Sequence, residues 1–258
     1  MPLPFRLGKK PAVADDRVLS LSEGAMLLPD PPDSANWYAD VEDWQMLGND
    51  EVGDCVVAFG MHYIYQQMCY LNPGAVPIPT TEEAIKNYSA IGGYDPAIPA
   101  TDQGLTVMGP GGMIEYWART GLLCGGTVHK LNRVMQLTQV NPKEWRQAIS
   151  LFSGVGIGMR MPQSIMDAPD IPFIWDDPTG PIAGYHEIFL VGYETVSNNV
   201  FYDCITWGTR VRLTEDFLTH VFDEGVVVLS TDGLDAMGKN AAGVDQTVLA
   251  NSITQLQG

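Results

Sequence analysis

Between residues 53 and 71 the chain places Val56, Val57, Ala58, Met61, Ile64, Tyr65 and Met68 at helical spacing. Apolar side chains three and four apart share one helix face, so the spacing predicts a helix there, ended by Asn72, Pro73 and Gly74. Asp54 stands at its N-cap position and Cys55 falls in its first turn. Further helices are predicted over 81–89, with Thr80 or Thr81 as cap and Glu82 and Glu83 in the first turn, over 112–119 and from 142 to 151. The period then becomes two. Residues 154–159 read as a strand with close backbone approach at its glycines, and 187–193, 200–207 and 225–230 as three more strands. Helices come first and strands later, so the expected class is α+β rather than alternating α/β.

The flanks follow a different pattern. Pro2, Pro4, Pro11, Pro29, Pro31 and Pro32 interrupt the first 45 residues, fixing φ and removing donors. The reading is an extended arm over 1–45 that packs across the body. The body spans 46–230, with a helical half over 46–140 and a sheet half over 141–230. A Gly-, Ala- and Asn-rich tail over 231–258 is expected to be flexible, with one weak helical run over 244–256.

Composition narrows the function classes. With 258 residues and 45% hydrophobic content, the chain can bury a sizeable core. Fourteen Lys and Arg against 31 Asp and Glu give a net charge of −17, which leaves no basic stripe for nucleic acid. No run of about 18 apolar residues is present, so no membrane partner is expected. The first ten residues carry charge but lead into no apolar segment, so they are not read as a secretory signal, and synthesis is expected in the cytoplasm. Cys55, Cys69, Cys124 and Cys204 are too sparse for a disulfide scaffold and lack the short paired spacing of a zinc site. No cofactor is expected. Asp167, Asp170, Asp176 and Asp177 read as a solvated acidic loop, with calcium or a basic substrate as the alternative.

Candidate chemistry centres on Cys55. A thiol at a helix N-terminus feels the positive end of the helix dipole, which favours the nucleophilic thiolate; the alternative is a small buried hydrophobe. A nucleophile also needs a base within reach. His62 lies seven residues along the same helix, about 10 Å away at 1.5 Å per residue. His129 and His220 read as solvated. His186 opens a strand, where a side chain is held rigidly at an edge.

Asn49, Gly53 and Cys55, then His186 leading an apolar strand to Gly192 and Tyr193, then Trp207 and Gly208 after the following strand, together resemble the papain-like cysteine peptidases. The helix-then-strand stretch from Trp145 to Met159 is similar to the family's as well, and the resemblance covers about 43–230. It implies a helical half carrying the nucleophile helix, packed on a twisted antiparallel sheet half, with a cleft between them. It implies Cys55 as nucleophile and His186 as general base and later acid. Asn49, with the backbone N–H of Cys55, would form the oxyanion hole; the alternative for Asn49 is a turn residue. Trp207 would shield the histidine.

The family's histidine is oriented by an Asn two positions before the Trp. Here that position is Ile205, which accepts no hydrogen bond. Asp203, on the same strand face as Ile205, and the adjacent Thr206 are the two candidate substitutes. The resemblance therefore implies a hydrolase acting on a peptide or related amide through a thioester at Cys55. The acidic balance favours basic or neutral substrates. The second expectation is a non-catalytic structural or interaction protein reusing the fold. The Pro-rich arm ahead of Gly53-Asp54-Cys55 is similar to papain-like proteins of bacterial and tailed-phage genomes, which implies a virion location and arm contacts to virion or self subunits. The first 45 residues lack the long charged helices of the family's usual inhibitory segment. Removing residues 1–35 is therefore expected to destabilise the fold more than it activates it.

Overall fold

The computed structural model describes residues 5–24, 28–72, 74–235, 238–245 and 256. In chain order the elements are α1 (Leu21–Gly24), β1 (Ser34–Asn36), α2 (Cys55–Leu71), α3 (Thr81–Gly92), α4 (Met113–Arg119), β2 (Leu122–Cys124), β3 (Thr127–His129) and β4 (Leu131–Leu137). Then follow α5 (Pro142–Phe152), β5 (Val155–Pro162), α6 (Gln163–Met166), β6 (Ile174–Trp175), β7 (Ile182–Val196), β8 (Asn199–Thr206), β9 (Thr209–Thr214), α7 (Glu215–Val221) and β10 (Phe222–Ser230).

Local chemistry explains the helix ends. Thr80 and Glu83 form a reciprocal capping box at the start of α3, and Gly93 closes that helix in the left-handed region. Asn141 accepts from the Glu144 N–H to open α5, with Pro142 at its first position. Helix α2 differs. Fourteen of its residues, from Cys55 to Met68, are buried on every side, so packing rather than a one-sided apolar stripe holds it. Asp54 makes no side-chain cap bond there; its carboxyl is buried, and burial pushes it well above the usual range.

One sheet runs β4-β10-β5-β7-β8-β9-β6, with β1 added along β7, and β2 pairs with β3 in a separate ribbon. All its pairings are antiparallel except β6 on β9. The sheet has two apolar faces. Phe189, Val191 and Ile205 join the cluster built around α2, while Ile188, Leu190 and Cys204 join the cluster around Trp145 and Phe152 of α5. This alternation fixes which residues of β7 and β8 share a face.

The chain between residues 5 and 41 has more structure than an extended arm: it contributes α1 and β1. β1 pairs with β7 from Ser34↔Glu194 to Asn36↔Gly192. The helical run expected over 244–256 falls almost wholly outside the described residues. Ribbon β2–β3 and strands β4 and β9 were not anticipated. Among the described residues no helix is long and apolar enough to cross a membrane.

Candidate active site

Cys55 is the first residue of α2, and its side chain is buried at the seam between that helix and β7. Backbone groups of Glu187 and Gly8 lie within hydrogen-bonding reach of its sulfur. Glu187 directly follows His186, so the backbone at the thiol and the candidate base are neighbours along β7, while the side chains of Glu187 and His186 alternate across the strand. His186 is fully buried at the midpoint of the β5–β7 ladder, opposite Met159.

The imidazole is held on two sides. Its Nε2 lies 2.7 Å from Thr206 Oγ1, and its ring stacks on Trp207 at 4.5 Å between centroids, 25° from parallel. Nδ1 has no hydrogen-bond partner among the described residues. The Trp207-Gly208 pair has its own cause. β8 and β9 pair through Thr206↔Thr209, and the two residues between them have φ of +47° and +67°, the two-residue hairpin turn that suits twisted strands. A tryptophan seldom adopts positive φ, so here the turn holds the indole over His186.

Of the two substitutes for the missing orienting residue, Thr206 reaches the histidine and Asp203 does not. Asp203 lies across from Arg212 in the β8–β9 ladder and accepts from its Nε at 3.3 Å and its Nη2 at 3.2 Å. The physical reason is strand parity. Asp203 and Ile205 point to the α2 face, whereas Thr206 shares the other face with Cys204, the face that His186 follows through Ile188 and Leu190. The hydrogen bond expected of Asp203 is thus made by the residue one before Trp207.

Asn49 is buried, and its side-chain N–H donates to the carbonyls of Val52 at 3.1 Å and Arg6 at 3.4 Å. Gly53, two residues before the thiol, donates its N–H to Asp102, which also accepts from the Tyr88 hydroxyl at 2.6 Å. Asp102 and Tyr88 thereby fix the loop that leads into α2, a role the sequence reading missed. His62 and His129 are both buried, so His129 is not solvated as expected; it bonds Thr127 Oγ1 at 2.8 Å.

The cleft is filled by the chain's own residues 5–10. Phe5 stacks on Trp207 at 5.0 Å. The Arg6 carbonyl accepts from Asn49 and from Trp207 Nε1 at 3.3 Å, and the Arg6 N–H donates to the Asn49 carbonyl. Gly8 passes so close to Gly53 that a Cβ on Gly8 would stand 1.8 Å from the Gly53 carbonyl oxygen. The Gly8 carbonyl accepts from the Leu105 N–H, and the Lys10 N–H donates to the Leu105 carbonyl. The arm thus covers the Asn49 amide, the Trp207 indole and the surroundings of the Cys55 thiol.

Electrostatics follow from this closure. Burial pushes the Cys55 thiol up to about 12 and the His186 imidazole down to about 3. In the closed arrangement the two are a neutral thiol and a neutral imidazole. Among the described residues no group of three or more His, Cys, Asp or Glu is placed to hold a metal ion.

No family model matches the chain. No curated protein matches it either. Solved structures do. The cysteine protease xylellain from Xylella fastidiosa is 14% identical, with a TM-score of 0.56 over 88% of this chain and 97% of that one. The proCathepsin B of Trypanosoma congolense gives 0.60 at 8% identity over 86% of each chain. The digestive procathepsin L 3 of Tenebrio molitor gives 0.59 at 12% identity, over 87% of this chain and 74% of its own. The fold of this chain is the papain-like α+β fold.

Proposed function

We propose that the chain is a cysteine hydrolase of peptide or related amide bonds, held closed by its own residues 5–10. What supports this reading is the papain-like fold, with Cys55 at the start of α2 and His186 on β7, one residue before the Glu187 backbone at the thiol. The thiol opens α2 within reach of the Glu187 backbone, and His186 is tied by Nε2 while Nδ1 stays unpaired.

With the arm displaced, water reaches the pair and the burial that favours two neutral groups is relieved. A proton moves from Cys55 to His186, and the thiolate attacks the substrate carbonyl carbon. The oxyanion forms beside the Asn49 amide, a donor worth about 3–4 kcal/mol in comparable sites. The C–N bond then breaks as His186 gives its proton to the leaving amine, and water attacks the thioester with His186 as base. Beyond Phe5 the cleft continues into a groove of about 450 Å³ lined by Ile171, Phe173, Trp207 and Arg210, with room for the leaving side of a substrate.

Intact mass after incubation with an activated peptide ester tests the chemistry. The expected result is one acyl group on Cys55 in a variant with the arm displaced, absent in Cys55→Ala. An adduct confined to Cys69, or none at all, contradicts the reading and favours a non-catalytic use of the fold.

A further inference from the structure

The loop that precedes the thiol is held by a carboxylate that none of these steps uses. Residues Pro99–Thr101 form a single 3-10 turn, and Asp102 closes it, its N–H donating to the Pro99 carbonyl. Both Asp102 carboxylate oxygens accept from the Gly53 N–H, at 3.2 and 3.1 Å. Tyr88 of α3 is buried; its hydroxyl donates to Asp102 Oδ1 at 2.6 Å and accepts from the Gly104 N–H at 2.8 Å. The phenol therefore fixes the rotation of the carboxylate. A Cβ on Gly53 would stand 3.0 Å from Asp102 Oδ1 and 2.9 Å from Gly8 Cα, so glycine there lets the acid reach the backbone.

The consequence lies on the other side of the same peptide. The Gly53 N–H belongs to the planar unit that carries the Val52 carbonyl, and in a trans peptide the two bonds point in opposite directions. With the N–H fixed on Asp102, the Val52 carbonyl is turned away from the acid, and there it accepts from Asn49 Nδ2 at 3.1 Å. The same amide nitrogen meets the Arg6 carbonyl at 3.4 Å. On the peptidase reading, that second position falls to the oxyanion once the arm has left. If the peptide lost its hold on Asp102 it could rotate, and the Val52 carbonyl would no longer fix the amide.

We propose that Asp102 is a positioning residue for the oxyanion donor: through the Val52–Gly53 peptide it holds the Asn49 amide where a developing oxyanion needs it. Its effect falls on the transition state, since a donor fixed beforehand costs no reorganisation when the charge forms. The role rests on the peptidase reading, but the tether on Asn49 is measurable without catalysis.

The tether is read in the full-length chain from hydrogen exchange of the Asn49 side-chain amide by NMR. Asp102→Asn keeps the size of the side chain but turns an N–H group toward the Gly53 N–H, and is expected to speed that exchange at least about tenfold. Tyr88→Phe removes the phenol that fixes the carboxylate. It serves should Asp102→Asn fail a melting control, with an expected rise of about threefold. In the Gly8→Ala background, Asp102→Asn is expected to lower kcat for a fluorogenic peptide at least about tenfold, with KM within about twofold. The double variant Asn49→Ala, Asp102→Asn should then match Asn49→Ala alone to within about threefold, because both substitutions act on one donor. Costs that multiply in the double variant would make Asp102 a structural prop and overturn the proposal, as would Asn49 exchange that stays unchanged in a folded variant. Faster exchange in a protein whose Gly8→Ala form hydrolyses nothing would keep the hold of Asp102 on Asn49 and remove the peptidase reading.

Discussion

Full-length Gly8→Ala is expected to hydrolyse a fluorogenic peptide at least about 100-fold faster than the wild-type chain. The argument is steric first. The added methyl would sit 1.8 Å from the Gly53 carbonyl oxygen, and the opposing surface is backbone that cannot rotate away. On its other side Gly8 faces Gly104, whose own Cβ position lies 2.3 Å from the Gly8 carbonyl oxygen. The arm must therefore leave this part of the cleft. Its departure uncovers the Asn49 amide and the thiol together. The electrostatic consequence sets the size of the effect. A thiol at about 12 is almost wholly protonated at neutral pH. Restoring even an ordinary thiol value of about 8.5 raises the thiolate fraction by about three orders of magnitude. Removal of residues 1–35 is a poorer test, because it also takes Ser34 and Ala35 of β1 away from β7. An unchanged rate in a folded Gly8→Ala protein would mean that the arm does not limit access.

The second large effect separates Thr206 from Asp203. In the Gly8→Ala background, Thr206→Val is expected to lower kcat/KM by about 10- to 100-fold, the equivalent of losing one hydrogen bond to a group that becomes charged. Thr206→Ser retains the oxygen 2.7 Å from Nε2 and is expected to restore most of the rate. The pH profile should move with it, since the hydrogen bond to Thr206 is the only one found for either ring nitrogen of His186 among the described residues. Asp203→Ala is expected to behave in the opposite way. It leaves Arg212 with Glu194 but without its cross-strand partner, and losing one member of a largely buried pair costs about 3 kcal/mol of stability. Thermal melts should therefore drop by about 6–12 °C, while kcat/KM per folded molecule stays close to that of the parent. Loss of rate in Asp203→Ala with no loss in Thr206→Val would reverse the assignment.

Much of this architecture was legible in the sequence because it rests on periodic burial. Helix α2, the helix of Pro142–Phe152 and the apolar runs of β5, β7, β8 and β10 all announce themselves by spacing and end signals. The short ribbon of β2 and β3 did not, because three-residue strands carry too little alternation to distinguish them from loops. His129 looked solvated for a similar reason: its neighbours are polar, but the ribbon folds over it.

The resemblance pointed to Cys55, His186, Asn49 and the Trp207-Gly208 pair, and the structure puts Cys55 at the start of α2 and His186 against Trp207. The site was not legible where it depends on strand parity. Alternation correctly placed Asp203 with Ile205, but which face His186 takes follows from the β7–β8 register, and that is a tertiary fact. The arm's course through the cleft was hidden too, since an extended segment has no period to read.

The most direct measurement is the rate of iodoacetamide alkylation at each cysteine against pH, followed by mass spectrometry, in the wild-type chain, in Gly8→Ala, and in Gly8→Ala with His186→Ala. In the wild type, Cys55 labelling should be slow and climb about tenfold per pH unit past pH 9 without a plateau, as a thiol at about 12 requires. In Gly8→Ala the labelling should be fast and level by pH 7, and His186→Ala should abolish that plateau. A Cys55 in folded Gly8→Ala that titrates as an ordinary thiol near about 8.5, indifferent to His186→Ala, would show that thiol and imidazole form no working pair.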